Sequence, residues 1–247
     1  MASVFGLHLI VLLFWLVIVG MPQPGHAQRL PPTDANIATA LDVSDSIMRH
    51  EAWLEFEGMA RAIVAPVLLE TIARGRHGRI GFAVFVWSSG GPQPIVPWTM
   101  IEAPQDAEAI AALIRAAQPP GPGMKARGVM AEGRTDLSRA IRFGTELLLT
   151  APFESNRLIL NVLGNGVDNV GTRPKTARAA ALGAGITING MVVGEDEELA
   201  AYFRRRIAGG PGSFVIEAGD PTDYGEALLS KFLQDLISLG QPPVQPG

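Results

Sequence analysis

Ala35-Asn-Ile-Ala-Thr-Ala-Leu-Asp42-Val-Ser44-Asp-Ser46 is the stretch on which the fold turns. Residues 35–41 form a short, mostly apolar run that gives way abruptly to a polar loop. A run of that length and character reads as a strand buried on both faces, as in a parallel sheet. Downstream, residues 50–74 carry apolar side chains at helical spacing (Trp53, Phe56, Met59, Ile63), and Pro66 is expected to split them into two helices. Residues 79–87 (Arg-Ile-Gly-Phe-Ala-Val-Phe-Val-Trp) read as a second strand, apolar enough to be central.

The next connection fixes a direction. Ser88 to Gln93 is a short Gly/Pro turn into a third strand, residues 94–101. Parallel neighbours need a crossover of about a dozen residues, so this turn can only close a hairpin and the third strand runs antiparallel. Pro94 and Pro97 restrict it to a sheet edge. Beyond it, helices at 104–117, 135–149, 174–183, 195–207 and 222–238 are expected to alternate with strands at 156–163, 185–193 and 213–217. The predicted fold is α/β: a doubly wound, mostly parallel six-stranded sheet with one antiparallel edge strand and helices on both faces. In such sheets the working surface lies outside the carboxyl ends of the strands, where strand order reverses. With the first strand central, the loops after Leu41 and Leu163 flank that crevice.

The 247 residues divide into a predicted signal peptide at 1–27, a Pro-rich lead-in at 28–34, one domain at 35–239 and a Pro/Gly tail at 240–247. Residues 4–19 are almost wholly apolar, and Gly25 and Ala27 follow Pro22 and Pro24 at the spacing a signal peptidase reads, which places cleavage near Ala27 and the protein in the periplasm or outside the cell. The same run could instead be retained as a membrane anchor. The net charge of −4 argues weakly against a nucleic-acid partner. With no cysteine, disulfides, thiolate zinc sites and a thiol nucleophile are excluded. Residues 118–133 form a long Pro/Gly loop, read either as a surface excursion or as a binding element.

Asp42, Ser44 and Ser46 place three oxygen-bearing side chains at alternate positions of one loop. Such hard donors suit Mg²⁺ or a similar cation. Two further segments can approach the same point: Gly133-Arg-Thr135-Asp136 and Gly164-Asn165-Gly166-Val-Asp168-Asn169. The competing reading is that Asp42 and the serines only cap the following turn and helix, with no metal.

Asp-x-Ser-x-Ser after a first strand, a Thr opening a later helix and a Gly loop after the fourth strand resemble the von Willebrand factor A family. More closely, Leu41-Asp-Val-Ser44, Phe85-Val-Trp-Ser88, Val96-Pro-Trp-Thr99, Gly185-Ile-Thr-Ile-Asn-Gly190 and Gly209-Gly-Pro-Gly-Ser-Phe214 resemble a bacterial secreted A-type subfamily of unknown function. The resemblance implies a metal-ion-dependent adhesion site binding Mg²⁺, Mn²⁺ or Ca²⁺. Ser44 and Ser46 would ligate directly, Asp42 through water, and Thr135 would add a third hydroxyl. Asn165 stands where the family has an aspartate. Losing one charge about 4 Å from a cation is worth up to about 4 kcal/mol at an effective dielectric of about 20, before water mediation reduces it. Asn165 still accepts a hydrogen bond from a metal-bound water. Asp45, Asp136 and Asp168 are candidates to restore the charge.

Neutral hydroxyls leave a cation electron-poor, so a partner's Asp or Glu can fill its open position. The expected function is therefore an exported, non-enzymatic protein-binding module that captures an acidic group. A metal-free scaffold for envelope assembly is the first alternative and a metal-assisted hydrolase the second. Other chemistries fit poorly. Position 44 is Ser where an aspartyl phosphotransferase needs a second acid. Gly164-x-Gly166 lacks the third glycine of a dinucleotide loop, and there is no Walker loop or Gly-x-Ser-x-Gly elbow. Only His50 and His77 remain beyond the leader for a histidine-based site.

Overall fold

The computed structural model describes residues 30–44, 47–119, 134–170, 173–194 and 196–237. The predicted signal peptide, the Gly/Pro tail, Asp45, Ser46 and residues 120–133 of the long loop lie outside them.

Among the described residues six strands form one sheet: β1 (Asn36–Asp42), β2 (Ile80–Trp87), β3 (Gln93–Ile101), β4 (Leu158–Gly164), β5 (Ile186–Val193) and β6 (Val215–Ala218). Their order is β3-β2-β1-β4-β5-β6, parallel throughout except for the β2–β3 hairpin. β3 is an edge, as its prolines require. The chain builds outward from β1 to β3, then returns to lay β4 on the other side of β1. The strand order therefore reverses between β1 and β4.

The helices are α1 (Arg49–Ile63), α2 (Pro66–Ala73), α3 (Pro104–Ala117), α4 (Leu137–Leu149), α5 (Pro174–Gly183), α6 (Glu197–Tyr202) and α7 (Tyr224–Ile237). Pro66 opens α2, as expected, and Pro104 and Pro174 open α3 and α5, where the missing N–H has no intrahelical partner to lose. Alternation along β1 builds two cores. Ile37 and Leu41 pack with α1, α3 and α7, while Ala38 and Ala40 pack with α4, α5 and α6.

Two helices differ from their sequence expectation. The segment expected as one helix at 195–207 is α6 followed by a π-helical turn at Phe203–Ile207, closed by Ala208 N–H donating to the Phe203 carbonyl at 2.9 Å. Leu199, Phe203 and Ile207 are all buried at a spacing of four. On an α-helix that spacing drifts about 40° per step, and the wider turn reduces the drift. Thr135 does not open α4 but precedes its N-cap, because Asp136 accepts the Arg139 N–H at 2.9 Å.

Candidate functional site

Asp42 ends β1 in register with Trp87 of β2. β1 and β4 last pair at Ala40 and Val162, so the two strands part just below the loops that leave them. Asp42 and Ser44 are both buried there. The Ser44 N–H donates to Asp42 Oδ1 at 2.9 Å, and the Ser44 hydroxyl and Asn165 backbone amide also favour the charged carboxyl. These bonds do not offset burial, which raises the Asp42 pKa to about 6. Asp42 Oδ2 accepts no hydrogen bond. It lies against Gly164: a Cβ at that position would sit 3.1 Å from Oδ2 and 3.4 Å from the Trp87 ring. Glycine at 164 thus lets β4 close on the carboxylate.

Thr135 is buried just ahead of the Asp136 N-cap of α4. Its Oγ1 faces Gly166, 3.4 Å from where a Cβ would stand. Two backbone-level bonds tie it to the loop after β4: its N–H donates to Asn169 Oδ1 at 3.0 Å, and its carbonyl accepts the Asn169 N–H at 3.1 Å. Asp168 Oδ1 accepts the Leu137 N–H at 2.9 Å, so this loop also caps α4. The structure therefore brings Asp42, Ser44 and the Asn165 backbone together at the carboxyl ends of β1 and β4 and ties Thr135 to the loop after β4 at Gly166 and Asn169, while Ser46 is outside the described residues. Asp136 and Asp168 spend their carboxylates on the start of α4.

One neighbouring acid escaped the sequence reading. Glu55 of α1 is 1% exposed, and its Oε1 has no hydrogen-bond partner. Burial raises its pKa to about 8, helped by repulsion from Asp42 and then Glu51. The available signal was positional: Glu55 sits three residues after Ala52 and four before Met59, both in the core.

The donors suit a hard divalent cation. The Ser44 hydroxyl and the Asp42 carboxylate meet where a buried carboxylate oxygen lacks a partner, which in folded proteins marks an unseen ion, water or proton. Among the described residues no three His, Cys, Asp or Glu side chains group to hold a metal. Beside Asn165 a cavity of about 620 Å³ opens, walled by Gly166, Val167, Asp196, Glu197 and Arg205. Val167 and Met48, on the loops either side of the site, are 50% and 56% exposed.

Comparison with known structures extends this picture. Proximal thread matrix protein 1 from the mussel byssus, with a zinc-occupied MIDAS motif, is 16% identical at a TM-score of 0.55, covering 84% of this chain and 48% of that one. A von Willebrand factor type A protein from Catenulispora acidiphila is 17% identical at a TM-score of 0.58, with coverage of 83% and 43%. This chain thus spans about half the length of these relatives. The vWF domain of the type V pili tip protein Mfa5 from Porphyromonas gingivalis is 9% identical at a TM-score of 0.56, covering 87% of this chain and 99% of that one. No curated protein matches the sequence. Residues 32–239 match the family described as "Protein of unknown function (DUF1194)", so the chain belongs to that family and carries a von Willebrand factor A-like fold.

Proposed function

We propose that this protein is an exported, non-enzymatic protein-binding module whose cation site captures an Asp or Glu of a partner. The observation that carries this is the Asp42 carboxylate, buried at the strand-order reversal with Oδ2 unpartnered and with Ser44 hydrogen-bonded to Oδ1. Ser44, Ser46 and Thr135 would hold Mg²⁺, Mn²⁺ or Ca²⁺ by their hydroxyls, and Asp42 and Asn165 through water. A cation so held keeps most of its charge and attracts a carboxylate. The exposed Met48 and Val167 add apolar surface on both sides of that point, as the rim of a protein interface would. The apolar leader with its cleavage-like site supports export, and the byssus and pilus-tip proteins that share the fold support a role in assembly or adhesion. The domain limits 35–239 remain our proposal for the functional unit.

Thermal unfolding with Mg²⁺ or Mn²⁺ against a chelator tests the reading. At about 100 times Kd a cation bound only by the folded state adds about 2.7 kcal/mol, and about 2–4 °C per kcal/mol is typical for a domain of this size. Asp42→Ala should abolish the shift. A native chain that shows no shift, or an Asp42→Ala chain that shows the same one, rules the cation out and leaves a metal-free scaffold.

A further inference from the structure

Asn161 lies mid-way along β4, in register with Asn189 of β5. Both side chains reach α7, where they meet Lys231 and Asp235, one helical turn apart. All four residues are at most 2% exposed. Lys231 Nζ donates to Asn161 Oδ1 at 2.5 Å and to Asp235 Oδ1 at 3.2 Å. Asn161 Nδ2 donates to Asp235 Oδ2 at 2.7 Å. One carboxylate therefore bridges the amine and the carboxamide nitrogen, while the amine rests against the carboxamide oxygen. Asn189 Nδ2 holds the carboxylate from the other strand at 2.8 Å, and the Phe214 ring covers Nζ, 4.8 Å from its centroid.

These are the parts of an acyl transfer between side chains. A desolvated amine becomes a nucleophile once it gives up a proton, and burial lowers the Lys231 pKa. The carbon it would attack, Asn161 Cγ, is bonded to the oxygen that Nζ already touches. A carboxylate in contact with both nitrogens can carry protons between them. The fold keeps all three groups in place, which replaces the encounter that makes amide exchange slow in solution. The change is also downhill in charge: two buried ions give way to none, and their desolvation cost is relieved.

We infer that Lys231 and Asn161 join through an intramolecular amide bond, with Asp235 as the proton carrier. Asp235 first takes a proton from Nζ. Nζ then bonds to Cγ of Asn161, and a second proton passes from Nζ to Nδ2 by way of the carboxylate. The Cγ–Nδ2 bond breaks and ammonia leaves. The new amide keeps one hydrogen, Asp235 keeps the first proton, and nothing is oxidised or reduced. The bond ties β4 to α7 across 70 residues, in a chain that has no cysteine to form a disulfide. It is independent of any cation at the Asp42 loop. The ion pair is the state before closure. Every Lys231 variant lacks the bond, so differences in stability among such variants report on the buried charges alone.

Denaturing mass spectrometry and tryptic mapping of the purified full chain test this. Wild type should weigh one ammonia less than its sequence between the observed ends. Trypsin should leave Lys231 uncut and release a branched peptide that joins the β4 segment to the α7 segment. Asp235→Asn keeps the size of the side chain but cannot carry the proton, so it should show the full mass and two separate peptides. A wild-type chain of full mass, cut at Lys231, overturns the inference and leaves only the ion pair. Ammonia lost at another residue, with Lys231 cut, does the same. Closure in Asp235→Asn overturns the part assigned to Asp235. If Asp235→Asn does not fold, the wild-type peptide map decides by itself.

Discussion

Asp42 and Glu55 are acids placed where water cannot reach them, and their shifted pKa values give stability a definite pH dependence. Burial raises Glu55 to about 8 and Asp42 to about 6, against ordinary values of 4.5 and 3.8. The folded state therefore holds protons that the unfolded chain releases, and stability falls as pH rises through that interval. For Glu55 the contribution is complete below about pH 4.5 and is lost by the time pH passes about 8. In chelator, the difference in melting temperature between Glu55→Gln and wild type should grow across that window, because a glutamine resembles the protonated acid. A pH-independent difference would show that Glu55 stays in one protonation state. Asn165 could be singled out from sequence because it stands where the resembled family has an aspartate. Glu55 was missed because an acid on a helix is ordinarily solvated, its place between the core positions Ala52 and Met59 being the cue to the contrary.

α1 and α7 meet at glycine, and this contact sets how deeply Glu55 and Tyr224 are buried. A Cβ on Gly58 would stand 2.9 Å from the Gly225 nitrogen and 3.2 Å from the Tyr224 carbonyl carbon. Both obstacles are backbone, so Gly58→Ala must push the helices apart. Overpacking of this kind costs about 1–3 kcal/mol, measurable as a lower urea midpoint with unchanged slope. At the other face α4 depends on its cap. Asp136→Ala should cost about 1 kcal/mol and weaken any cation binding that needs Thr135, because the same turn places both residues. A loss of stability with unchanged Mn²⁺ affinity would separate Thr135 from the site. The helices were legible where proline marks their starts, as at Pro66 and Pro104, whereas α4 begins after the Asp136 cap rather than at Thr135. The π turn at Phe203–Ile207 was not, since it answers to the sheet beneath it.

At the scale of the whole molecule, α7 is held to the sheet by a buried polar network. Lys231 and Asp235, both 0% exposed, pair at 3.2 Å one turn apart. Lys231 also donates to Asn161 of β4, and Asn161 and Asn189 of β5 donate to Asp235 at 2.7 and 2.8 Å. Burial lowers the Lys231 pKa and the Asp235 charge opposes that shift. Removing one charge strands the other, so Lys231→Ala should cost about 3–5 kcal/mol, whereas replacing the pair with apolar residues removes both charges and leaves only the neutral Asn161 and Asn189 amides unpaired, so it should cost less. Denaturant titration of Lys231→Ala against the double variant Lys231→Met/Asp235→Leu checks this. Equal losses would show that the network, rather than the stranded charge, carries the stability.

The local pattern of residues was enough to determine the strand–helix alternation, the antiparallel edge strand and the doubly wound fold, because hairpin length, proline position and buried strand runs are constraints along the chain. It also singled out Asp42, Ser44 and Ser46, to which the resemblance to von Willebrand A domains added Thr135 and Asn165. What only the tertiary structure decided is which acids share their surroundings. It directed Asp136 and Asp168 to the start of α4, left Asp42 Oδ2 unpartnered against Gly164, and buried Glu55 of α1. Those outcomes depend on desolvation and on contacts between residues far apart in sequence, and no periodicity encodes them.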